Sequence, residues 1–133
     1  MNARALRSVL GGCLLVTAPQ AIAAGLSILV VDVEHLESRM PLYAEIDRLA
    51  GALVSTGPQA ASARQLAAEL RKSEVLTAVP EVIAQIAATE NADLVLDRET
   101  ASRIGEGGAR DVTAAVQQAL ERQFSGRPLE LAQ

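Results

Sequence analysis

The residues of this chain that could do chemistry are few and scattered. His35 is the single imidazole and Cys13 the single thiol, so zinc sites of the usual His/Cys composition are excluded. A catalytic base needs a nucleophile or a substrate site within hydrogen-bond reach, and nothing near His35 in sequence supplies one. It reads as a residue on the first turn of a solvated helix. Asp32, Asp93 and Asp97 each stand at the end of an apolar run. Paired carboxylates are one way to read them; acids that terminate strands and cap helices are the simpler one. Gly105-Glu106-Gly107-Gly108 is glycine-rich, but it joins no clear strand to a helix N-terminus and its acid would repel phosphate, so it reads as a loop. Arg98, Arg103 and Arg110 read as a solvated basic face. Asp111 and Thr113 read as the cap of a helix. No catalytic or cofactor signature emerges, and neither an enzyme nor a cofactor is expected.

The elements that must position these residues follow from hydrophobic spacing. Residues 27–33 contain the continuous apolar run Ile28-Leu29-Val30-Val31, apt for a strand covered on both faces. From Glu34 the period becomes helical. Leu42, Ile46, Leu49 and Leu53 recur at intervals of four, three and four, the spacing of a coiled-coil seam; Leu36, Met40 and Tyr43 make a second row. Pro41 either starts this helix or kinks it. Ser55-Thr56-Gly57-Pro58 is a turn. A second helix is expected over 59–72 with Leu66 and Leu70 on one face and alanines around them. A third starts near Thr77 and Pro80, with Val79, Val82, Ile83 and Ile86 as its stripe, and closes at Asn91-Ala92. Residues 93–97, with Leu94, Val95 and Leu96, are the second strand. Residues 101–104 are either a third strand or loop. A final amphipathic helix over 113–124 carries Val116, Leu120 and Phe124 and is stopped by Gly126 and Pro128. The expected class is α+β: a small β-body of two or three strands, a helical arm or hairpin over 34–91, and a C-terminal helix. Val79 and Val82, beside the Pro80 break, are the arm positions with least need of cover.

Composition agrees. Half of the 133 residues are hydrophobic, yet only Tyr43 and Phe124 are aromatic and 25 are alanine, a composition of helix formers with an aliphatic core. The first 23 residues carry Arg4 and Arg7, then an apolar stretch over 9–18, then Pro19 and Ala21-Ile22-Ala23. This is the three-part pattern of a secretory signal, with cleavage expected after Ala23. An uncleaved anchor over 9–31 is the alternative, and Cys13 lies too early in the run for a lipoprotein signal. Residues 24–133 then form one cysteine-free domain with ten basic against 16 acidic residues, a formal net charge of −6. That balance disfavours nucleic acid and anionic membranes as partners. A short chain without disulfides, carrying a heptad seam, is expected to oligomerise.

Two segments resemble the Skp/OmpH family of periplasmic chaperones. Ile28-Leu29-Val30-Val31-Asp32-Val33 resembles the family's first strand after the signal peptide. The stretch from Ile86 through Asp93-Leu94-Val95-Leu96-Asp97 to Asp111-Val112-Thr113 and Leu120 is similar to its closing helix, strand and helix start. The resemblance implies a periplasmic trimer joined through its strands, whose helical arms hold unfolded outer-membrane proteins, with no small-molecule substrate. The arm is shorter than the family's and the charge is acidic where client-capturing members are basic. The ending Gly108-Ala109-Arg110-Asp111-Val112-Thr113 also resembles the TrbI-type proteins of F-like conjugative transfer systems, which keep a membrane anchor. A structural scaffold subunit is the remaining alternative.

Overall fold

A computed structural model of the chain describes residues 25–131. The expected leader, residues 1–23, and its cleavage position lie outside the described residues. Among the described residues no helix is long and apolar enough to cross a membrane.

The fold is α+β. Strand β1 (Ile28–Val31) leads into a π-helical turn (His35–Arg39), helix α1 (Pro41–Ala52), helix α2 (Ala60–Thr89), strand β2 (Leu94–Asp97), helix α3 (Arg98–Arg103), strand β3 (Arg110–Asp111) and helix α4 (Thr113–Phe124). The three strands form one sheet in the order β2-β1-β3, and both pairings are parallel. Ile28 to Val31 register against Leu94 to Asp97, and Leu29 and Val30 against Arg110 and Asp111. The central place of β1 explains its unbroken apolar run, since a parallel strand between two neighbours is covered on both faces. Leu29 and Val31 point into the main core with Val95 and Val112. Val30, one residue out of phase, is buried on the opposite face, where α3 with its buried Ala101 lies over β1 and β2.

The hydrogen-bonding groups at the chain reversals are met locally. Met40 is extended, so α1 starts at Pro41, the position where a missing N–H costs nothing. The Tyr43 hydroxyl donates to the carbonyl of Leu36 at 2.6 Å and ties the π-turn to α1. Burial, and then the nearby Glu37 carboxylate, raise that hydroxyl's pKa above its ordinary value of 10.0. Helix α2 ends at Asn91, whose φ of 53° closes a Schellman turn: Ala92 donates to the carbonyl of Ala87, and Asn91 to that of Ala88.

Four expectations are corrected. Residues 101–104 form neither strand nor plain loop: 98–103 are helical, capped by Asp97, and the third strand is Arg110–Asp111, parallel to β1. The two expected helices over 59–72 and 77–90 are one helix of 30 residues that runs through Pro80. Val75, Ala78, Val79 and Val82 are buried along its inner side while Pro80 faces out, so packing outweighs the one hydrogen bond the proline forgoes. Val79 and Val82 are thus well covered. Finally, Leu66 and Leu70 do not close the seam: they are 49% and 50% exposed. Leu42 and Ile46 are buried, and Leu49, Leu53, Ile83 and Ile86 pack partly against the core. The side of α2 turned to the core is the one carrying Ala68, Val75, Ala78, Val79 and Val82, while the buried Ala67 lines a groove shared with residues 127–130. Small alanines let the helix axes approach, and the bulkier leucines turn outward.

Candidate functional site

The chemistry-bearing residues meet at one place, the carboxyl ends of the three parallel strands, where α/β sheets place their ligands. Asp32 follows β1, Asp97 ends β2 and Asp111 ends β3. Each carboxylate is committed to backbone. Asp32 Oδ1 accepts from the N–H of His35 at 3.1 Å. Asp97 accepts from the N–H of Val33 at 3.1 Å and from that of Glu99 at 3.3 Å, joining β1 to β2 and capping α3. Asp111 Oδ1 accepts from the N–H of Thr113 at 2.8 Å, which is the capping expected of this pair. The Thr113 hydroxyl does something sequence spacing does not foretell: it accepts from the N–H of Asp32 at 2.8 Å, so the start of α4 is bonded to the end of β1. His35 Nε2 lies 2.5 Å from Gln117 Oε1 on α4.

Arg98 stands between the acids. One nitrogen donates to Asp32 Oδ2 at 3.0 Å and the other to Asp111 Oδ2. This guanidinium holds the space that a cation between carboxylates would need, and among the described residues no group of three His, Cys, Asp or Glu side chains is placed to hold a metal. Arg98, Arg103 and Arg110 are exposed, as a solvated face requires, and each is paired with an acid, Arg103 with Glu99 and Arg110 with Glu90. At the opposite end of the sheet Asp93 accepts from the N–H of Ser27 at 2.8 Å. The acids are therefore strand terminators and caps joined into a clasp. Arg98's partners leave no mark in local spacing, because Asp32 and Asp111 are 66 and 13 residues away and meet it only when the three strand ends are brought together.

Asp111 carries a pH signature. Desolvation pushes its carboxyl up, but hydrogen bonds from Thr113 and Arg98 outweigh this and leave it below the ordinary 3.8. Arg98 is correspondingly raised, first by its hydrogen bond to Asp111. A carboxyl depressed on folding stabilises fully above its unfolded pKa, and that contribution disappears as pH falls through the folded value. Stability measured by urea unfolding should therefore fall on acidification below about pH 4, and Asp111→Asn should lose less across the same window. Equal acid sensitivity in the two proteins would remove the clasp from the account.

The second candidate surface is apolar and lies on the helical hairpin of α1 and α2. Val54, in the connection, is 92% exposed; Leu66 and Leu70, one turn apart on α2, and Leu76 are also in solvent. Beside Leu70 a groove of about 400 Å³ opens between α2 and the segment after α4. Arg71 on α2 donates to the carbonyls of Arg127 at 3.3 Å and Pro128 at 3.1 Å across it. Its Nε lies 3.2 Å from Glu74, but at an angle that makes no hydrogen bond, so the pair is held by charge. The strands expected to join copies take the registers given above, with Leu94 on β2 exposed and Val95 and Leu96 half-buried.

Compared with protein-family models, with curated proteins and with solved structures, the chain matches none.

Proposed function

We propose that this chain is a periplasmic holdase of the Skp/OmpH type, which binds unfolded outer-membrane proteins through aliphatic side chains on its helical hairpin. The observation that carries the reading is the exposure of Val54, Leu66, Leu70 and Leu76 on α1–α2 and its connection, while the polar groups at the strand ends are all satisfied. Exposed aliphatic side chains on a surface element mark an interaction site when they cluster. The two segments that resemble the family also support it. The first supplies β1 and the second supplies β2 and β3, so both build one sheet, and the helical excursion between them is the arm. The strands are the assembly elements in this reading: the outer edge of β2, with Leu94, is the place for further copies to join, as a trimer.

The test is suppression of aggregation of an unfolded outer-membrane β-barrel, followed by light scattering. The protein should suppress it near stoichiometric ratios. Replacing Leu66 and Leu70 together by Glu should weaken suppression about tenfold or more, and leave circular dichroism unchanged, because both side chains already stand half in solvent. With a formal net charge of −6 over 24–133, capture should rest on apolar contact and change little with added salt. No suppression by a folded oligomer would leave a scaffold, or a component of a conjugative transfer system, as the better account.

A further inference from the structure

Beyond α4 the chain turns at Ser125 and Gly126 and lies extended along α2. The turn is fixed by Glu45 of α1, whose carboxylate accepts from the Ser125 hydroxyl at 3.0 Å and from the N–H of Gly126 at 3.1 Å. Gly126 has a φ of 75°, a conformation that glycine adopts without strain. The residues that follow are neither helix nor strand. Their hold on α2 has two parts. Arg71 takes the carbonyls of Arg127 and Pro128, and Leu129, 7% exposed, enters the core. Glu130 then faces solvent and Leu131 is half-buried. Leu129 and Leu131 thus alternate with an exposed acid, the period of a strand, and among the described residues 129–131 have no backbone hydrogen bond.

This contact reads almost nothing of the segment's identity. A guanidinium gripping main-chain carbonyls, with an aliphatic seat beside it, would serve any extended peptide bearing aliphatic residues at alternate positions. That alternation is the pattern of a transmembrane β-barrel strand. Leu70 lines the same groove with half its surface exposed, and Leu66, one turn earlier on α2, is equally exposed.

We propose that the groove on α2 is where an extended, alternately aliphatic client segment binds, and that residues 127–131, of which 127–130 now form its second wall, are a displaceable strap that the client replaces. The proposal rests on the holdase reading and names the surface and the chemistry of its client. Binding exchanges one extended segment for another, so the seat of Leu129 and the Arg71 guanidinium are covered in both states.

The experiment uses a fluorescein-labelled peptide of alternating leucine and serine, with a control peptide of the same composition whose leucines are contiguous. Anisotropy with the full chain should show preference for the alternating peptide. Leu129→Ser, which loosens the strap while keeping Arg71 and Leu70, should bind it about tenfold more tightly than the unmodified protein. Arg71→Gln added to Leu129→Ser should reverse that gain. Should Leu129→Ser not fold, a second measurement decides. Leu131→Cys in a Cys13→Ser background, labelled with an environment-sensitive dye, should shift to the red as unlabelled alternating peptide is added. Unchanged affinity in folded Leu129→Ser, or a dye that does not move at saturating peptide, overturns the strap. Aggregation suppression with no peptide binding and no dye shift would overturn the strap and leave the holdase reading standing. Peptide binding and strap release without suppression would uphold the groove and sink that reading.

Discussion

Val30→Asp should abolish the folded state at neutral pH. Val30 is 2% exposed in the central strand, registered with Leu96 on one side and Asp111 on the other, and its carbonyl accepts from the N–H of Val112 at 2.8 Å. The α3 helix above it buries Ala101, and its Arg98 is already held by Asp32 and Asp111. An unpaired carboxylate there costs several kcal/mol, against a total stability of about 5–15 kcal/mol for a small domain. From sequence alone this substitution would be expected to disrupt assembly; the sheet places Val30 inside each copy, so the fold itself is the casualty. The sign of the pH dependence identifies the cause. Burial raises the new carboxyl's pKa, so the penalty is full above that raised value and is relieved as pH falls through it. Circular dichroism should show little structure near pH 7 and partial recovery in mild acid. A variant that unfolds in urea at the unmodified midpoint would contradict the central position of β1.

Leu120→Ala should lower unfolding free energy by about 2–5 kcal/mol, the range for emptying a buried leucine site, while Leu70→Ala should stay within about 0.5 kcal/mol. Leu120 has no exposed surface and sits in the main core with Val116 and Phe124, where α4 packs on α2. Surrounding helices cannot collapse fully into the space it leaves, so the loss exceeds simple transfer of the side chain. Leu70 is already half in water. The two leucines are chemically identical, so urea midpoints compared at a common slope report which side of each helix is inward. Equal losses at both positions would mean that α2 presents the opposite side to the core.

Both results bear on where the apolar surface of the hairpin lies. A row of leucines that contributes little to stability is free to serve binding, whereas Leu120 is committed to the core. The clasp of Asp32, Arg98, Asp111 and Thr113 has the contrary character: each group is engaged with another, and together they position the sheet ends.

The sequence by itself determined the elements whose signals are local. Strand β1 was legible because four consecutive aliphatic residues between polar ones suit a strand covered on both faces. Helix α1 was legible through Leu42 and Ile46, the start at Pro41 stood as one of two readings, and α4 was legible through Val116, Leu120 and Phe124 and the stop at Gly126. Asp111 as a cap to Thr113 is a contact over two residues and could be read directly. What only the tertiary structure decided depends on separations of tens of residues. Whether Pro80 ends a helix turns on the burial of Val75, Ala78, Val79 and Val82 against neighbours in other elements. Which side of α2 faces inward is ambiguous in a helix so rich in alanine, because alanine contributes to either side; Leu66 and Leu70 stand half in solvent, and the core is met by Ala68, Val75 and Val79. The short β3 carries no periodic signal in two residues and exists because β1 offers it an edge. Arg98 and Arg71 find their partners only after folding brings the ends of the chain together, since an ion pair or a gripped carbonyl leaves no trace in local spacing.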